Sequence, residues 1–259
     1  MGTMKSRDGG RSSGTQAIDR ALQVLSSFIT QPEQGITELA KSADLSPSTV
    51  HRIVQALVNG GFLDQDPATE RYHLGHTAVV LGQSARESLG LERALPVLER
   101  LGGETGESVN LGVRDGAEVL VVLRVESVQP LRLDQPPGTR IDIHCSSMGK
   151  SLLAFGDDNL DNLTFTPHTA STIVSPGVLA TELEVTRERG YSLDLEESIE
   201  GLSCIATPIL KRDGEAAAAI AIQAPTVRMT QQRQEHLTRR LMAAAHEISD
   251  MLFPSATAN

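Results

Sequence analysis

The chain has 259 residues, of which 39% are hydrophobic and only 3% aromatic, and its formal net charge is −10. This length suffices for two ordinary domains with mostly aliphatic cores. No apolar run approaches the roughly 18 residues of a membrane helix, the polar first residues contain no signal-peptide core, and two cysteines make no disulfide framework. These features argue against membrane and disulfide-rich secreted classes, and we expect a cytoplasmic protein.

The negative charge is unevenly distributed along the chain. Residues 1–76 carry seven Lys and Arg against eight Asp and Glu, a net charge of −1, whereas residues 77–259 carry 16 against 25, a net charge of −9. Because phosphate attraction is screened within about 10 Å at ~0.1 M salt, a DNA-binding domain needs only a local basic face. The overall charge therefore leaves DNA binding open for the N-terminal part.

Three helices are predicted between residues 14 and 61. The apolar positions of TQAIDRALQVLSSF recur every three or four residues, as on one face of a helix. A second helix is predicted from Thr37 as its N-cap, and a third from Ser46 as its N-cap, with a proline at the first helical position. The turn at Asp44 and Leu45 joins these two helices closely, which predicts a helix-turn-helix.

The polar face of the third helix carries residue types that read DNA. At about 100° per residue, Ser48, Arg52 and Gln55 point away from the apolar stripe, and Thr49 and His51 lie at its edges. Arg suits guanine, Gln suits adenine and hydroxyls suit phosphate. A solvated polar face is the commoner meaning of such residues, but the hairpin signal of FLDQDPATERYHL adds a wing and favours DNA. The residues expected to contact DNA are Ser46, Ser48, Thr49, His51, Arg52, Gln55 and, on the wing, Arg71.

The rest of the chain predicts a linker helix and an α+β domain. Residues 77–89 are predicted to be a helix whose apolar residues pack either on a partner subunit or on their own domain. Asp-Gly turns at Asp115 and Asp213, each between β-rich runs, indicate two antiparallel hairpins. The alanine-rich run after the second turn is interpreted as a strand, because Asp-Gly precedes it and Pro225 follows. Helices are expected from about 147, over 177–190 and at the C-terminal end. These elements predict an antiparallel sheet flanked by helices.

The stretch HCSSMGKSLLA, residues 144–154, ends like a phosphate-binding loop. A full loop needs a glycine at position 144, where this chain has His144, and it belongs to a parallel sheet, whereas both hairpins here are antiparallel. A nucleotide site is therefore not expected. A helix capped by Ser146 or Ser147 and beginning near Met148 would still offer N–H groups to a small anion, although an ordinary capped helix is common.

Other chemistry has weaker support. Cys204 could be a nucleophile, but no cysteine-protease signature surrounds it, and free cysteine is usually a small buried apolar residue. His144, Cys145 and Cys204 lack the spacing of metal ligands, so neither a metal nor a cofactor is expected. A solvated charged stretch is the interpretation for Asp194, Glu196, Glu197 and Glu200.

The motifs RALxVL, ELA, STVHR and GFL over residues 15–76 resemble the N-terminal domain of the IclR family of bacterial transcriptional regulators. HCSSMGKSLLA and YSLDLEESIEGLSCIATPI resemble that family's C-terminal domain. The resemblance implies an α+β protein with an N-terminal winged helix-turn-helix and a C-terminal GAF-like antiparallel sheet flanked by helices. It assigns 14–76 to DNA binding, 77–89 to a linker helix and 90–254 to effector binding, with short tails at 1–13 and 255–259.

The same resemblance implies partners and a site. Expected partners are double-stranded DNA with a near-palindromic operator, a small organic acid, and copies of the chain forming a homodimer that pairs into a dimer of dimers. The residues expected to hold the acid are Ser147, Met148, Gly149, Asp194, Cys204, Ala221 and Gln223. The family often has small hydroxyl residues where this chain has Ala221 and Gln223, which suggests an acid larger or less polar than glyoxylate or pyruvate, such as an aromatic one.

The expected function is therefore a DNA-binding transcriptional regulator, not an enzyme, whose operator binding responds to that acid. The alternative is a small-molecule-binding protein or enzyme with an accessory helix-turn-helix.

Overall fold

The computed structural model describes residues 13–156, 160 and 163–254. The expected tails at 1–13 and 255–259 lie outside these residues, except that Ser13 already belongs to the first helix. The chain divides between Leu89 and Gly90 into two compact units, which are described separately. Within the described residues, no helix combines the length and apolar character that crossing a membrane requires.

The N-terminal unit contains four helices and a two-stranded antiparallel hairpin: α1 (Ser13–Ser27), α2 (Ile36–Ser42), α3 (Pro47–Asn59), β1 (Leu63–Gln65), β2 (Tyr72–Leu74) and α4 (His76–Ser88). Its core is aliphatic with two aromatic residues and is formed by Val24, Phe28, Leu39, Ala40, Ala43, Val50, Val54, Leu63 and Tyr72. Helices α1, α2 and α3 pack on one another through this core, and the hairpin follows α3. The expected apolar stripe of α1 is wrong in part: its core-facing side passes through Val24 and Phe28, so that Ile18 and Leu22 are exposed.

The expected N-cap of α2 is wrong by two residues. The helix begins at Ile36 with Gly35 as its N-cap, and not after Thr37. The reason is the Glu38 carboxylate, which accepts the Gly35 backbone N–H at 2.8 Å and so satisfies a group at the helix start. By contrast, α3 begins as expected, because the Ser46 hydroxyl accepts the Thr49 backbone N–H at 3.3 Å.

The C-terminal unit is a six-stranded antiparallel sheet with helices on both faces. Its elements are α5 (Leu91–Thr105), β3 (Ser108–Asp115), β4 (Glu118–Val125), β5 (Arg140–Asp142), α6 (Ser147–Ala154), α7 (Pro176–Arg189), β6 (Ser192–Leu195), β7 (Leu202–Leu210), β8 (Ala216–Pro225), a 3₁₀ turn (Thr226–Arg228) and α8 (Gln231–Leu252). The strand order is β5-β4-β3-β8-β7-β6. Both Asp-Gly hairpins form, and the alanine-rich run is strand β8, which confirms the expected α+β class.

Strand alternation divides this sheet into two different faces. One face carries aliphatic side chains such as Leu111, Ile205 and Ile222, which pack against α5 and α8. The other face packs against α6 and α7 and holds smaller or polar residues, among them Ala206, Ala219 and Ala221. Small side chains on this face leave space beneath α6, and that space is where the polar site lies.

Candidate DNA-binding helix and effector cavity

Helix α3 presents an exposed polar face. The side chains of Ser48, His51, Arg52 and Gln55 are exposed, and Thr49 is half-buried. The hydroxyl of Ser46 is already used, because it caps the helix and lies 3.0 Å from the Ser48 hydroxyl and 2.8 Å from that of Thr49. The helix therefore offers one guanidinium, one amide, one imidazole and a hydroxyl to a partner, while Ser46 shapes its start.

The structure gives Arg71 a contact that the sequence did not predict. Its guanidinium donates to the Glu38 carboxylate at 2.7 Å and to the Glu33 backbone oxygen at 2.8 Å. The pKa of the Glu38 carboxyl is lowered, first by the hydrogen bond from the Gly35 N–H and also by the nearby Arg71 charge. Arg71 thus attaches the wing to the start of α2 in the free protein, and its contact with DNA remains a prediction.

The start of α6 forms one wall of a narrow cavity in the C-terminal unit. Ser146 is the N-cap, and its hydroxyl accepts the Gly149 backbone N–H at 3.1 Å. The N–H groups of Ser147 and Met148 have no carbonyl partner in the helix, since a helix bonds its N–H groups only from the fourth residue onward. Ser146, Ser147 and Met148 line the cavity. Gly149 does not, and its own N–H is already bonded.

The role of Gly149 is to let two backbone segments approach. A Cβ at this position would collide with the carbonyl oxygen of Ile143. The glycine therefore allows α6 to begin directly against the end of the preceding segment, which orients the N–H groups of Ser147 and Met148. Its expected part in holding an acid stays a prediction, whereas its part in positioning α6 follows from this close approach.

The sheet supplies the opposite wall through two rows of paired residues. Asp194 pairs with Cys204, and Cys204 pairs with Gln223, across β6, β7 and β8. In the next row on the same face of the sheet, Asn110 of β3 pairs with Ala221 of β8. All five line the cavity, whose interior of about 10 Å³ holds roughly one water molecule. Six of the seven expected effector residues therefore meet in one place, and Gly149 lies just behind it.

Three amide side chains form the polar centre of this cavity. The Gln135 side-chain oxygen accepts hydrogen bonds from the amide nitrogens of Gln223 at 2.8 Å and Asn110 at 3.3 Å. The amide oxygens of Asn110 and Gln223 are buried and have no hydrogen-bond partner within the part of the chain that the structure describes. Since buried polar atoms are nearly always paired, this arrangement is incomplete without a further group.

Sequence reasoning missed Asn110 and Gln135. Asn110 gave a signal, because it is a polar residue in the middle of the apolar strand SVNLGVR, and buried polar residues deserve an explanation. Gln135 gave none, since it lies in the irregular segment between β4 and β5. Ile141, Ser146 and Ser198 complete the lining that was not foreseen.

Asp194 lines the cavity, but both of its carboxylate oxygens are engaged. One accepts the backbone N–H groups of Glu197 at 2.7 Å and Ser198 at 3.3 Å, and the other accepts the Ser198 hydroxyl. Burial raises the pKa of the Asp194 carboxyl, against the effect of these hydrogen bonds. Asp194 therefore fixes the turn after β6, so that its contribution to the cavity is mainly one of shape.

The interpretation of this acidic stretch as solvated is wrong for two of its members. Asp194 and Glu197 are buried, whereas Glu196 is half-buried and Glu200 exposed. For Glu197 the reason is Lys150, which is only 1% exposed and makes an ion pair with the Glu197 carboxylate. For Asp194 it is the set of hydrogen bonds from the turn after β6. Burial raises the pKa of Glu197 to about 7, although the Lys150 charge acts in the opposite direction. The lysine of the Gly-Lys-Ser sequence is thus a buried structural cation.

Neither cysteine has the environment of a nucleophile. Burial, followed by the charge of Asp194, raises the pKa of the Cys145 thiol to about 12, and the same causes raise that of Cys204 well above its ordinary value. Reactive cysteines instead have a lowered pKa and partial exposure. Among the residues that the structure describes, no cluster of three or more His, Cys, Asp or Glu has a geometry suited to a metal ion.

A winged helix-turn-helix unit joined to a separate α+β unit with a polar cavity suits a DNA-binding regulator that also binds a small molecule. Comparison with known proteins places the chain more narrowly. Residues 17–67 match the model of the IclR helix-turn-helix domain, and residues 87–250 match that of the bacterial transcriptional regulator IclR C-terminal domain. The chain therefore belongs to the IclR family of bacterial transcriptional regulators.

Individual relatives agree with this assignment. The chain is 38% identical to the HTH-type transcriptional regulator BhcR of Paracoccus denitrificans over 94% of its own length and 89% of the relative's. The crystal structure of Thermotoga maritima IclR is similar with a TM-score of 0.72 and 28% identity, covering 92% of this chain and 99% of that one. An IclR homologue from Microbacterium hydrocarbonoxydans, solved in complex with 4-hydroxybenzoate, shares the fold with a TM-score of 0.79 and 24% identity over 91% of this chain and 98% of that one.

Proposed function

We propose that this protein is a transcriptional regulator whose operator binding is controlled by a small organic acid held in the cavity beneath α6. The observation that carries the proposal is the incomplete polar centre of that cavity, where the buried amide oxygens of Asn110 and Gln223 lack partners. The start of α6 adds the N–H groups of Ser147 and Met148 and the positive end of a helix dipole, both of which favour a carboxylate.

DNA contact is assigned to the exposed face of α3. Arg52 and Gln55 have the chemistry to read base edges in the major groove, and Ser48, Thr49 and His51 flank them with groups that suit phosphates. The wing hairpin follows α3 directly, as in other winged helices.

We also propose that the N-terminal units pair. Large apolar side chains are exposed on α1 and α4, and they cover enough of both helices to favour burial against a second copy. The most exposed of them are Ile18, Leu22, Val79 and Val80, at 57% to 72%. A two-fold dimer would present two α3 helices, and its operator would be near-palindromic for the same reason. Association of two dimers on the operator is part of this proposal.

The acid would act by shifting an equilibrium between two arrangements of the protein. Such control requires that the acid bind one arrangement more tightly than the other, and reciprocity then requires DNA to change the acid's affinity by the same factor. A catalytic role is not part of the proposal, since both cysteines near the cavity are held as thiols by their raised pKa values.

The proposed contact of α3 with DNA is tested by measuring the binding of Arg52→Ala to the intergenic DNA upstream of the protein's own gene. We expect the variant to weaken binding by roughly tenfold to a hundredfold, because a base-reading arginine contributes about 1–3 kcal/mol. Arg212→Ala is the matched control, since it removes the same charge from an exposed hairpin end of the other unit. Equal affinities for the two variants would overturn the assignment of α3.

The proposed binding of an organic acid is tested by a thermal-shift screen with glyoxylate, pyruvate and 4-hydroxybenzoate. A bound acid raises the melting temperature by mass action, and the acid that does so should also change the affinity for DNA. Stabilisation by 4-hydroxybenzoate alone would support the larger acid that Ala221 and Gln223 suggest, and stabilisation by glyoxylate or pyruvate alone would refute it. If no carboxylic acid in a wider panel changes the melting temperature or DNA binding, the proposal fails.

A further inference from the structure

We propose that Gln135 is a built-in plug of the acid site: its amide oxygen occupies the place of an effector oxygen, and the side chain must withdraw before a carboxylate can enter. This inference rests on the proposed function, because it concerns the same cavity. It adds a residue on the connection between β4 and β5 to a site otherwise made from the sheet and α6.

The position of Gln135 is unusual for its segment. Residues 126–139 connect β4 to β5, and Gln135 is 6% exposed although its neighbours Asp134 and Pro136 are exposed. Within residues 128–137, Gln135 is therefore the one side chain turned inward, and Ser127, near the start of the connection, is buried as well. The polar side chain of a surface segment is not buried in this way unless specific hydrogen-bond partners hold it.

The partners of Gln135 are two amide groups that donate to its side-chain oxygen as they would to an oxygen of a bound ligand. Both the Gln223 and the Asn110 amide groups donate to it, at 2.8 and 3.3 Å, so it accepts the two hydrogen bonds that a carboxylate oxygen would accept. The amide oxygens of the two donors remain unpaired. With Gln135 in place, the cavity therefore still contains two buried acceptors without hydrogen-bond partners, and a competing group that pairs with them could bind better.

Gln135 also separates two spaces. Together with Ile141 and Ser198 it lines both the inner cavity of about 10 Å³ and an outer cleft of about 370 Å³. The inner space holds roughly one water molecule, so even a small acid has no room while the plug is in place. Withdrawal of the Gln135 side chain would join the two spaces and open a path from the cleft to Cys204.

Ordered contacts hold both ends of the connection, where the buried Ser127 hydroxyl donates to the Gly106 backbone oxygen at 2.7 Å and the Gly138 N–H donates to the Val121 backbone oxygen at 2.8 Å. Arg124 makes an ion pair with Asp134, and the Arg228 guanidinium donates to the Leu131 backbone oxygen at 3.0 Å. Strand β5, which follows, has only three residues and pairs with β4 alone. Between these ends, residues 128–137 belong to no strand and, apart from Gln135, none of them is buried, so this stretch opens at lower free energy than core elements.

The test that needs no effector measures access to Cys204. The full-length protein, wild type or Gln135→Ala, is treated with methyl methanethiosulfonate, and modification of Cys204 is timed by mass spectrometry. Gln129→Ala is the matched control, because it removes a similar side chain from an exposed position of the same connection. We expect Cys204 to react roughly tenfold faster in Gln135→Ala, as loss of two amide hydrogen bonds allows, and at the wild-type rate in Gln129→Ala. Equal rates in all three proteins would overturn the plug.

The second test uses the acid that stabilises the wild type in the screen. Gln135→Ala should bind it more tightly, since the acid no longer competes with a side chain, and Gln135→Asn, whose shorter amide cannot reach both donors, should fall between. Weaker binding by Gln135→Ala would mean that Gln135 holds the acid, and would overturn the plug while leaving the proposed function intact. Faster Cys204 modification with no acid bound by any variant would leave the plug and refute the function.

Discussion

The buried ion pair of Lys150 and Glu197 gives the strongest prediction for stability. Lys150 is 1% exposed, pairs with the Glu197 carboxylate and lies 3.8 Å from that of Glu182. In Lys150→Met the side-chain volume is nearly kept, but Glu197 remains buried without a cation. Removing one partner of a buried pair costs about 3–5 kcal/mol, because the remaining charge is uncompensated.

The loss should depend on pH in a direction that the structure determines. The pKa of Glu197 is raised from 4.5 to about 7 by burial, with Asp194 and Glu182 acting in the same direction. A carboxyl with a raised folded-state pKa contributes stability below its unfolded pKa, and this contribution, about 3 kcal/mol at ~1.4 kcal/mol per pKa unit, is lost as pH rises through about 7. Without Lys150 the pKa rises further, so the loss continues above pH 7.

Urea unfolding followed by circular dichroism at pH 6 and pH 8 measures this. We expect Lys150→Met to lose more stability at pH 8 than at pH 6, and Glu197→Gln in the same chain to restore part of it. Lys211→Met is the matched control, since Lys211 pairs with Glu215 at 2.9 Å on the surface, where a pair contributes about 0–1 kcal/mol. A loss no larger than that of the control, or one equal at both pH values, would contradict a buried compensating lysine.

Two further predictions follow from packing and burial. Gly149→Ala should lower the melting temperature strongly, because its Cβ would collide with the Ile143 carbonyl oxygen. Gly103→Ala is the control: a Cβ there has nothing within 4 Å, so this helical position should gain up to about 1 kcal/mol of stability. Equal melting temperatures for the two variants would refute the close approach at α6. The thiols of Cys145 and Cys204 should resist iodoacetamide at pH 8 in the native protein and react in 6 M guanidinium, because burial raises both pKa values; fast native alkylation, timed by mass spectrometry, would show that one of them is accessible.

Local patterns in the sequence were enough to predict most elements. Apolar spacing predicted α1 and α3, Ser46 predicted the start of α3, and Asp-Gly turns predicted both hairpins of the larger sheet. These succeed because caps, turns and amphipathic stripes depend on residues within a few positions of one another. The predicted start of α2 was wrong for a similarly local reason, since the Glu38 carboxylate accepts the Gly35 N–H and makes a threonine cap unnecessary.

The candidate site could be predicted only in part. Family motifs pointed to residues on α6, β6, β7 and β8; the sheet register brings four of them to one cavity, and the packing of α6 on the sheet adds two more. Arg71 was expected to face DNA, but its partner Glu38 lies 33 positions away in sequence, and only folding brings the two together. Nothing near Gln135 in the sequence indicates that this residue of the largely exposed stretch 128–137 is buried.

The sequence by itself determined the order of elements, the helix-turn-helix with its wing, the α+β class and the family, because each depends on short-range patterns or on motifs of neighbouring residues. The tertiary structure alone decided which polar groups are left without partners. Whether an amide, a lysine or a carboxylate is exposed, paired or unpaired depends on contacts between distant segments, as between Gln135 and Gln223, or Lys150 and Glu197. Those contacts exist only after the sheet and α6 have packed, and they distinguish the proposed acid site from the polar surface around it.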